Sequence, residues 1–432
     1  MEFLEVIVLV LSFVVLLILG VPIAFSIGVS ALLTMLVSIA PDAAFTTMAQ
    51  RMATSLDSFA LLAIPFFILA GQFMNRGGIA SRLIDFAKAL VGTLPGGLAY
   101  VNIIACMLFG AISGSAVAAA SAIGGIMSPR MVKEGYSRPF SAAVNITSAT
   151  TGMIIPPSNI LIVYSLASGG VSIAALFVAG YVPGILLGLS LMLVAGFIAY
   201  KQGYPVGDRT SIKEVIKKFF DALPSLLLLV VVIGGIIAGI FTATEASAIA
   251  VFYTFILSIV VYRQIKLANL PEILIQTVIT TSIVMILIGT SMGMSWVMSF
   301  ENIPQGVSEA LLSISDNKIV VLIIINLILL FVGIFMDMTP AVLIFTPIFL
   351  PVVTALGVDP VHFGIMMVLN LCIGLCTPPV GSVLFVGCGV ANISISKVIK
   401  PLVPLFIAMV VALLLVTYIP ALSLWLPGIF GL

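Results

Sequence analysis

The chain has 432 residues, of which 62% are hydrophobic and 8% charged, and its mean hydropathy is +1.35. Soluble domains carry roughly 25% charged residues, so this composition excludes a water-soluble fold and makes lipid the solvent. At about 20 residues per crossing, the length predicts an all-α polytopic membrane protein with about ten transmembrane helices. The net charge of +1 says little about partners, and we expect no nucleic acid among them.

The first part of the chain predicts ordinary spans interrupted by polar stretches. A polar stretch at 41–57 separates the second span from the third. Residues 79–90 repeat apolar side chains at helical spacing and place Arg82, Asp85 and Lys88 on the opposite face, which predicts a helix lying in the membrane interface. The apolar runs that predict full spans lie at 3–19, 22–40, 58–74 and 172–200.

The stretch 110–159 contains two interruptions. An apolar segment breaks at Ser113, Gly114 and Ser115 after too few residues to cross a bilayer and then turns back, which predicts a re-entrant helical hairpin over 97–129. The span at 140–168 is itself broken by Gly152 and by Pro156 with its neighbour Pro157. Broken helices are tolerated in a membrane only where the freed backbone is buried in protein or lines a cavity, so these breaks are candidate binding sites.

The second part of the chain follows a polar linker. Within the linker, Ser211 and Glu214 form a capping-box pattern, which predicts a cytoplasmic amphipathic helix over 201–221. Beyond it, a second hairpin is predicted over 319–351, broken at Asp337, Met338 and Thr339. The remaining predicted elements are spans at 222–240, 244–262, 271–299 and 401–428, a surface helix at 303–314, and a span at 361–390 broken by Gly374, Pro378 and Pro379.

Backbone-breaking residues recur with one spacing. The residues Pro129, Gly135, Gly152, Pro156 and Pro157 are each followed, 222 positions later, by Pro351, Gly357, Gly374, Pro378 and Pro379. This spacing predicts two repeats, at 1–200 and 222–432, joined by the linker at 201–221.

The basic residues predict the orientation. If the N-terminus lies outside, fifteen of the seventeen Lys and Arg residues face the cytoplasm, Arg209 of the linker among them, and only Arg51 and Lys318 lie outside. Both termini are then outside, and the hairpins enter from opposite sides. Inverted repeats with discontinuous helices that meet at midplane predict a secondary transporter.

The chemistry is expected at the four breaks. Unwound carbonyls and half-helix C-termini suit a cation, whereas half-helix N-termini suit an anion. Hard oxygen ligands favour sodium, with one ion at each pair of hairpin and broken span. Asp337 is the carboxylate at a hairpin tip. The polar side chains near the breaks are Ser113, Ser115, Thr147, Thr150, Thr151, Ser158, Asn159, Asp337, Thr339, Cys376, Thr377 and Ser382.

Several structural interpretations stay open. Small residues such as Ser113 also permit close helix packing. Asp337 could lie among lipid headgroups, and Glu245 could be a solvated helix end. His362 is the single histidine, and the chain lacks HExxH and GxSxG motifs, so we do not expect an enzyme.

At these residues the chain resembles a known family. The segments GAISGSAVAAASAIGGIMSPRMVKEGYSRPFSAAV, TGMIIPPSN and CIGLCTPPVG are similar to the large membrane subunit of the tripartite ATP-independent periplasmic (TRAP) transporters, in the ion transporter superfamily. The resemblance implies an elevator-type transporter of the bacterial inner membrane. It would take up an organic acid (a C4-dicarboxylate, another carboxylate or sialic acid) with sodium as coupling ion and no other cofactor. The implied partners are a small membrane subunit and a periplasmic binding protein.

The resemblance also assigns residues. It implies a first sodium site at Ser113, Gly114 and Ser115 with Thr151, Gly152 and Pro156, and a second at Asp337, Met338 and Thr339 with Gly374, Cys376 and Thr377. The candidate substrate contacts are Ser115, Ser158, Asn159, Thr339, Thr377 and Pro378. A stand-alone carboxylate carrier driven by sodium or protons is the main alternative.

Overall fold

The computed structural model describes residues 2–205, 211–315 and 317–432. Arg209, which the sequence assigns to the cytoplasmic side, lies outside these residues. The first ten helices are α1 (Glu2–Ile18), α2 (Ile23–Ser38), α3 (Pro41–Leu56), α4 (Ala63–Arg76), α5 (Ile79–Val91), α6 (Gly97–Ser113), α7 (Ala116–Lys133), α8 (Arg138–Ala149), α9 (Asn159–Ala167) and α10 (Ile173–Lys201).

The other helices follow residue 211. They are α11 (Ile212–Ile237), α12 (Ala243–Ile256), α13 (Leu270–Phe300), α14 (Ile303–Ile314), α15 (Lys318–Phe335), α16 (Met338–Ala355), α17 (Pro360–Gly374), α18 (Ser382–Val390), α19 (Ile395–Tyr418) and α20 (Ala421–Phe430). Within the described ranges there is no β-strand, and eight helices are long and apolar enough to cross a membrane. The predicted all-α membrane class is confirmed, whereas the number of complete crossings stays a prediction.

Three elements differ from the predictions. The polar stretch at 41–57 forms the helix α3. This helix packs against α13, and its side chains Ala44 and Met48 are buried. The contact is close at Gly293, where an added Cβ would lie 2.5 Å from the Met48 sulfur. A polar sequence can therefore form a helix here because one narrow face of it is packed.

The predicted linker helix is not a separate element. The Ser211 hydroxyl accepts a hydrogen bond from the Glu214 amide at 3.3 Å, as the capping pattern predicts, but α11 then continues through Pro224 to Ile237. Residues 212–223 contain neither glycine nor proline, so nothing in the sequence ends the helix at residue 221. Its first turns are held on α5 by Lys218, whose ammonium lies 2.9 Å from an Asp85 carboxylate oxygen.

The predicted last span over 401–428 is wrong as a single helix. It is divided into α19 and α20 at Ile419, which has φ −118° and ψ 82°, and Pro420. Proline has no N–H to donate and disfavours helical geometry at the preceding residue, so the helix ends there.

Two helical hairpins position the site. In the first, α6 ends at Gly114, whose φ of 61° is left-handed, a conformation that glycine adopts at little cost. In the second, α15 and α16 meet at the extended residues Met336 and Asp337. The second helix of each hairpin packs on the far half of the other broken segment, α7 against α18 and α16 against α9.

Each hairpin also contacts the broken helix that follows it in the chain. In the first hairpin the backbone of Gly110 contacts the backbone of Gly152. In the second, the backbone of Gly333 contacts the backbone of Gly374. A buried polar pair lies near each contact. The Asn102 amide donates to the Ser148 hydroxyl at 2.9 Å, and in the second pair the Asn370 amide donates to the Asn326 side-chain oxygen at 2.7 Å. The two hairpins are therefore anchored in similar ways.

Candidate functional site

The tips of both hairpins line one cavity of about 470 Å³. Ser113, Gly114 and Ser115 contribute the first tip, and Asp337 with Thr339 contributes the second. The sequence places these tips more than 200 residues apart, yet the fold brings them to the same space. One ligand of modest size could therefore contact both.

Four helices begin at this cavity. Residues in the first turns of α7, α9, α16 and α18 line it, including Ala116, Asn159, Met338 and Ser382. The first turn of a helix offers unpaired N–H groups and a positive dipole end, so four such ends favour an anion. Asp337 is exposed to the cavity, and it is the only charged side chain among the described residues that line it. The wall thus combines donors for an anion with one carboxylate for a cation.

Three buried polar atoms at the cavity lack partners. The Ser113 hydroxyl, the Asn159 side-chain oxygen and the Ser382 hydroxyl make no hydrogen bond with any residue that the structure describes. A buried polar atom without a partner costs about 1–3 kcal/mol. A bound ion or ligand would recover that free energy, so these atoms mark the cavity as a binding site.

The structure places the predicted site residues in two groups. Seven of them line the cavity, and the rest lie outside its lining, at the breaks behind it. The lining group is Ser113, Gly114, Ser115, Asn159, Asp337, Met338 and Thr339, and the outer group is Thr151, Gly152, Pro156, Ser158, Gly374, Cys376, Thr377 and Pro378.

Side chains of the outer group hold the unwound backbone. The Thr151 hydroxyl donates to the Ser148 carbonyl at 2.6 Å, and the Thr377 hydroxyl donates to the Ile373 carbonyl at 2.8 Å. The Cys376 thiol points to the Ile146 carbonyl at 3.4 Å. A hydroxyl that donates its proton keeps lone pairs that can still accept a cation. These residues therefore stabilise the breaks and leave oxygen atoms available there.

Residues from a second wall complete the cavity. Gln72 and Asn75 of α4 and Thr280 of α13 also line it, and sequence reasoning did not find them. The available signal was the spacing of α4, in which Ile64 and Ile68 share one helix face with Gln72 and Asn75. The same pattern occurs at the end of an ordinary membrane span. The spacing shows which residues share a helix face, but it does not show what that face contacts.

We predict that Asn145→Leu destabilises the first hairpin. The Asn145 amide donates to the Ala120 carbonyl at 2.9 Å and joins α8 to α7, with Gly124 packed against it. Removal of this buried bond should lower the free energy of unfolding by about 2 kcal/mol, measured by thermal unfolding in detergent. The control is Ser190→Ala on α10, whose hydroxyl bonds within its own helix. Equal melting temperatures for the two variants would contradict the prediction.

Comparison with known proteins places this arrangement in context. A family model described as "Tripartite ATP-independent periplasmic transporter, DctM component" matches residues 10–422. The chain is 59% identical over 420 residues to the uncharacterized protein YgiK of Salmonella typhimurium, covering 97% of this chain and 96% of that one. It is 40% identical over 426 residues to the C4-dicarboxylate TRAP transporter large permease protein DctM of Rhodobacter capsulatus, covering 96% of both.

Two further similarities extend the comparison. The chain is 42% identical over 418 residues to the isethionate TRAP transporter permease protein DctMQ of Oleidesulfovibrio alaskensis, covering 96% of this chain and 65% of that protein. Among solved structures, the YdaH transporter of Alcanivorax borkumensis superposes with a TM-score of 0.64 at 12% identity, covering 89% of this chain and 88% of that one. At that identity the match shows a shared fold.

Proposed function

Because the chain belongs to the DctM component family of TRAP transporters, we propose that it drives sodium-coupled uptake of an organic acid supplied by a periplasmic binding protein. The family and its named relatives are large permeases, so the chain is a multi-pass membrane transport protein and not an enzyme. One observation carries the proposal: two hairpin tips and four helix N-termini meet at one cavity. Such a site suits an anion and its coupling cations together.

We assign the coupling ions to the two tips. The first sodium would bind at Ser113, Gly114 and Ser115 with backbone oxygens of the Thr151 to Pro156 break. The second would bind at Asp337, Met338 and Thr339 with oxygens of the Gly374 to Thr377 break. Support comes from the unpartnered Ser113 hydroxyl and from Asp337, which faces the cavity. Sodium prefers such hard oxygen ligands.

The organic acid would occupy the space between the tips. The cavity lining contains neither Lys nor Arg among the described residues, so its carboxylate would be met by N–H groups and hydroxyls. The candidate contacts are Ser115, Asn159 and Thr339. Ser158, Thr377 and Pro378, which the sequence also suggests, lie behind this lining and would act through the shape of the breaks.

We further propose an inverted-repeat elevator. The repeats at 1–200 and 222–432 would each supply a hairpin and a broken span to a moving domain, and the helix between them would join the halves. The glycine contacts of the two hairpins and the two buried polar pairs both support this repeat. The other spans and the helices α5 and α14 would form the scaffold.

The location follows from the family and from the charges. We propose the bacterial inner membrane, with both termini in the periplasm, because fifteen of seventeen basic residues then face the cytoplasm. A small membrane subunit is the proposed companion. The relative named DctMQ supports this, since this chain aligns with 65% of its length.

Ion coupling is energetically needed. Each net positive charge carried inward contributes roughly 2.3 kcal/mol per ~100 mV of membrane potential. An acid with two negative charges would move against that field unless cations accompany it. Two sodium ions would neutralise a dicarboxylate, and a third would make its uptake electrogenic.

The test is uptake into proteoliposomes. The chain and its small subunit would be reconstituted with a candidate periplasmic protein and a labelled acid, under an imposed sodium gradient. We expect uptake only when both the gradient and the binding protein are present. Equal uptake without the binding protein would favour the stand-alone carrier instead. Uptake that does not depend on either sodium or protons would contradict coupling.

A further inference from the structure

One face of α4 forms part of the cavity wall and contacts the first hairpin tip at Ser113. Ile64, Ile68, Gly71, Gln72 and Asn75 line the cavity at positions i, i+4, i+7, i+8 and i+11, so a single face of the helix is turned toward it. The polarity of this wall changes along the helix. It is apolar at the Ile64 end and carries two amides near the end of the helix.

The two amides are available to a ligand. Neither the Gln72 nor the Asn75 side chain forms a hydrogen bond with another residue in the described part of the chain, and both are half-buried. Their distance from the first tip is fixed by Gly71, where an added Cβ would lie 3.0 Å from the Ser113 carbonyl oxygen. Two amides without a protein partner therefore line the cavity close to the contact between Gly71 and the Ser113 backbone.

The chemistry of the two walls is different. The hairpin wall offers helix N-termini, which suit a carboxylate. The α4 wall carries no charged side chain and no helix N-terminus, and Gln72 and Asn75 lie in the last turns of α4, where the negative end of the helix dipole disfavours a second carboxylate. An amide has both donors and an acceptor, which match a hydroxyl group that donates and accepts. Thr280, whose hydroxyl donates to the Gln276 carbonyl at 2.9 Å, adds oxygen lone pairs beside them.

We propose that Gln72 and Asn75 bind a hydroxyl group of the substrate, so that this chain carries a hydroxylated carboxylic acid. The inference rests on the proposed function, because it takes the same cavity as the transport site. The carboxylate would lie at the hairpin tips, its hydroxyl at the two amides, and its carbon chain against Ile68 and Val284. Gln72 and Asn75 would then be specificity-determining residues.

The experiment compares acids that differ only by hydroxyl groups. Binding to the purified transporter would be measured by calorimetry in sodium chloride and in potassium chloride. The probes are the pairs propionate and lactate, succinate and malate, glutarate and 2-hydroxyglutarate, and hexanoate and gluconate. We expect the wild type to bind the hydroxylated member of at least one pair about tenfold more tightly, and only in sodium.

The variants Gln72→Met and Asn75→Leu retain side-chain size and remove the amides. Each should reduce the preference for the hydroxylated acid about tenfold while leaving affinity for its partner and the sodium dependence within about twofold. Gln50→Leu, on the exposed face of α3 and outside the cavity, is the control and should change nothing. Two separate variants keep the test valid if one of them fails to fold.

The outcomes separate the two proposals. Sodium-dependent binding with an unchanged hydroxyl preference in both folded variants would overturn the hydroxy-acid assignment and leave the transport site intact. A wild type that binds neither member of any pair, or prefers the plain acids, would also overturn it. Binding that is equally strong in potassium would instead count against the proposed sodium coupling.

Discussion

Replacement of Asp337 by alanine is expected to reduce the initial rate of sodium-driven acid uptake about a hundredfold. Asp337 precedes α16 at the second hairpin tip and is the charged side chain of the described cavity lining. A carboxylate that neutralises a desolvated cation contributes about 3 kcal/mol, which corresponds to roughly two powers of ten. The apparent affinity for sodium should fall with the rate.

The control for this variant is Glu309→Ala, which removes an exposed carboxylate on α14 outside the cavity. It should retain uptake within about twofold, since surface charges contribute little. Uptake would be measured at several sodium concentrations, after a thermal-unfolding check that both variants fold. Wild-type sodium dependence in Asp337→Ala would remove this residue from the coupling site.

Replacement of Gly152 or Gly374 by alanine is expected to disrupt the anchoring of a hairpin. An added Cβ would lie 2.3 Å from the Gly110 Cα in one case and 2.6 Å from the Gly333 Cα in the other. Both neighbours are backbone atoms and cannot rotate away. Overpacking of this kind costs about 3 kcal/mol, so we expect a clear fall in melting temperature and loss of most uptake.

Gly125→Ala and Gly389→Ala are matched controls on α7 and α18. An added Cβ at either position meets no atom within 4 Å. Alanine favours helix over glycine by about 1 kcal/mol, so these variants should be as stable as the wild type or slightly more stable. If Gly152→Ala and Gly374→Ala melted together with the controls, the close backbone contacts would not be structurally important.

The breaks could be predicted because their signals are local. Pro156 and Pro378 remove backbone donors whatever surrounds them, and the small residues Ser113 to Ser115 end an apolar run too early to cross. The paired helices α6 with α7 and α15 with α16 begin and end within four residues of the predicted 97–129 and 319–351, and their re-entrant course stays a prediction. Ser113, Asn159 and Asp337, which were predicted at two separate pairs of breaks, line one cavity, and their role in binding stays a prediction.

Other features depend on contacts between distant segments. Nothing in the local sequence says that Gln72 and Asn75 line the same cavity as the hairpin tips, because that depends on how α4 packs. The helicity of α3 likewise depends on its contact with Gly293. Ser158 has the composition of a binding residue, yet its hydroxyl donates to the Met153 carbonyl within the break. Side-chain direction at an irregular segment is not encoded by spacing.

The reciprocal packing of the hairpins has a consequence for how the protein is made. The first hairpin packs against α18 and the second against α9, so each hairpin contacts a helix from the other half of the chain. While the nascent chain is still short of residue 390, α7 has no α18 to receive it. The packing of the first hairpin is therefore completed only after residue 390 has been synthesised, late in membrane assembly.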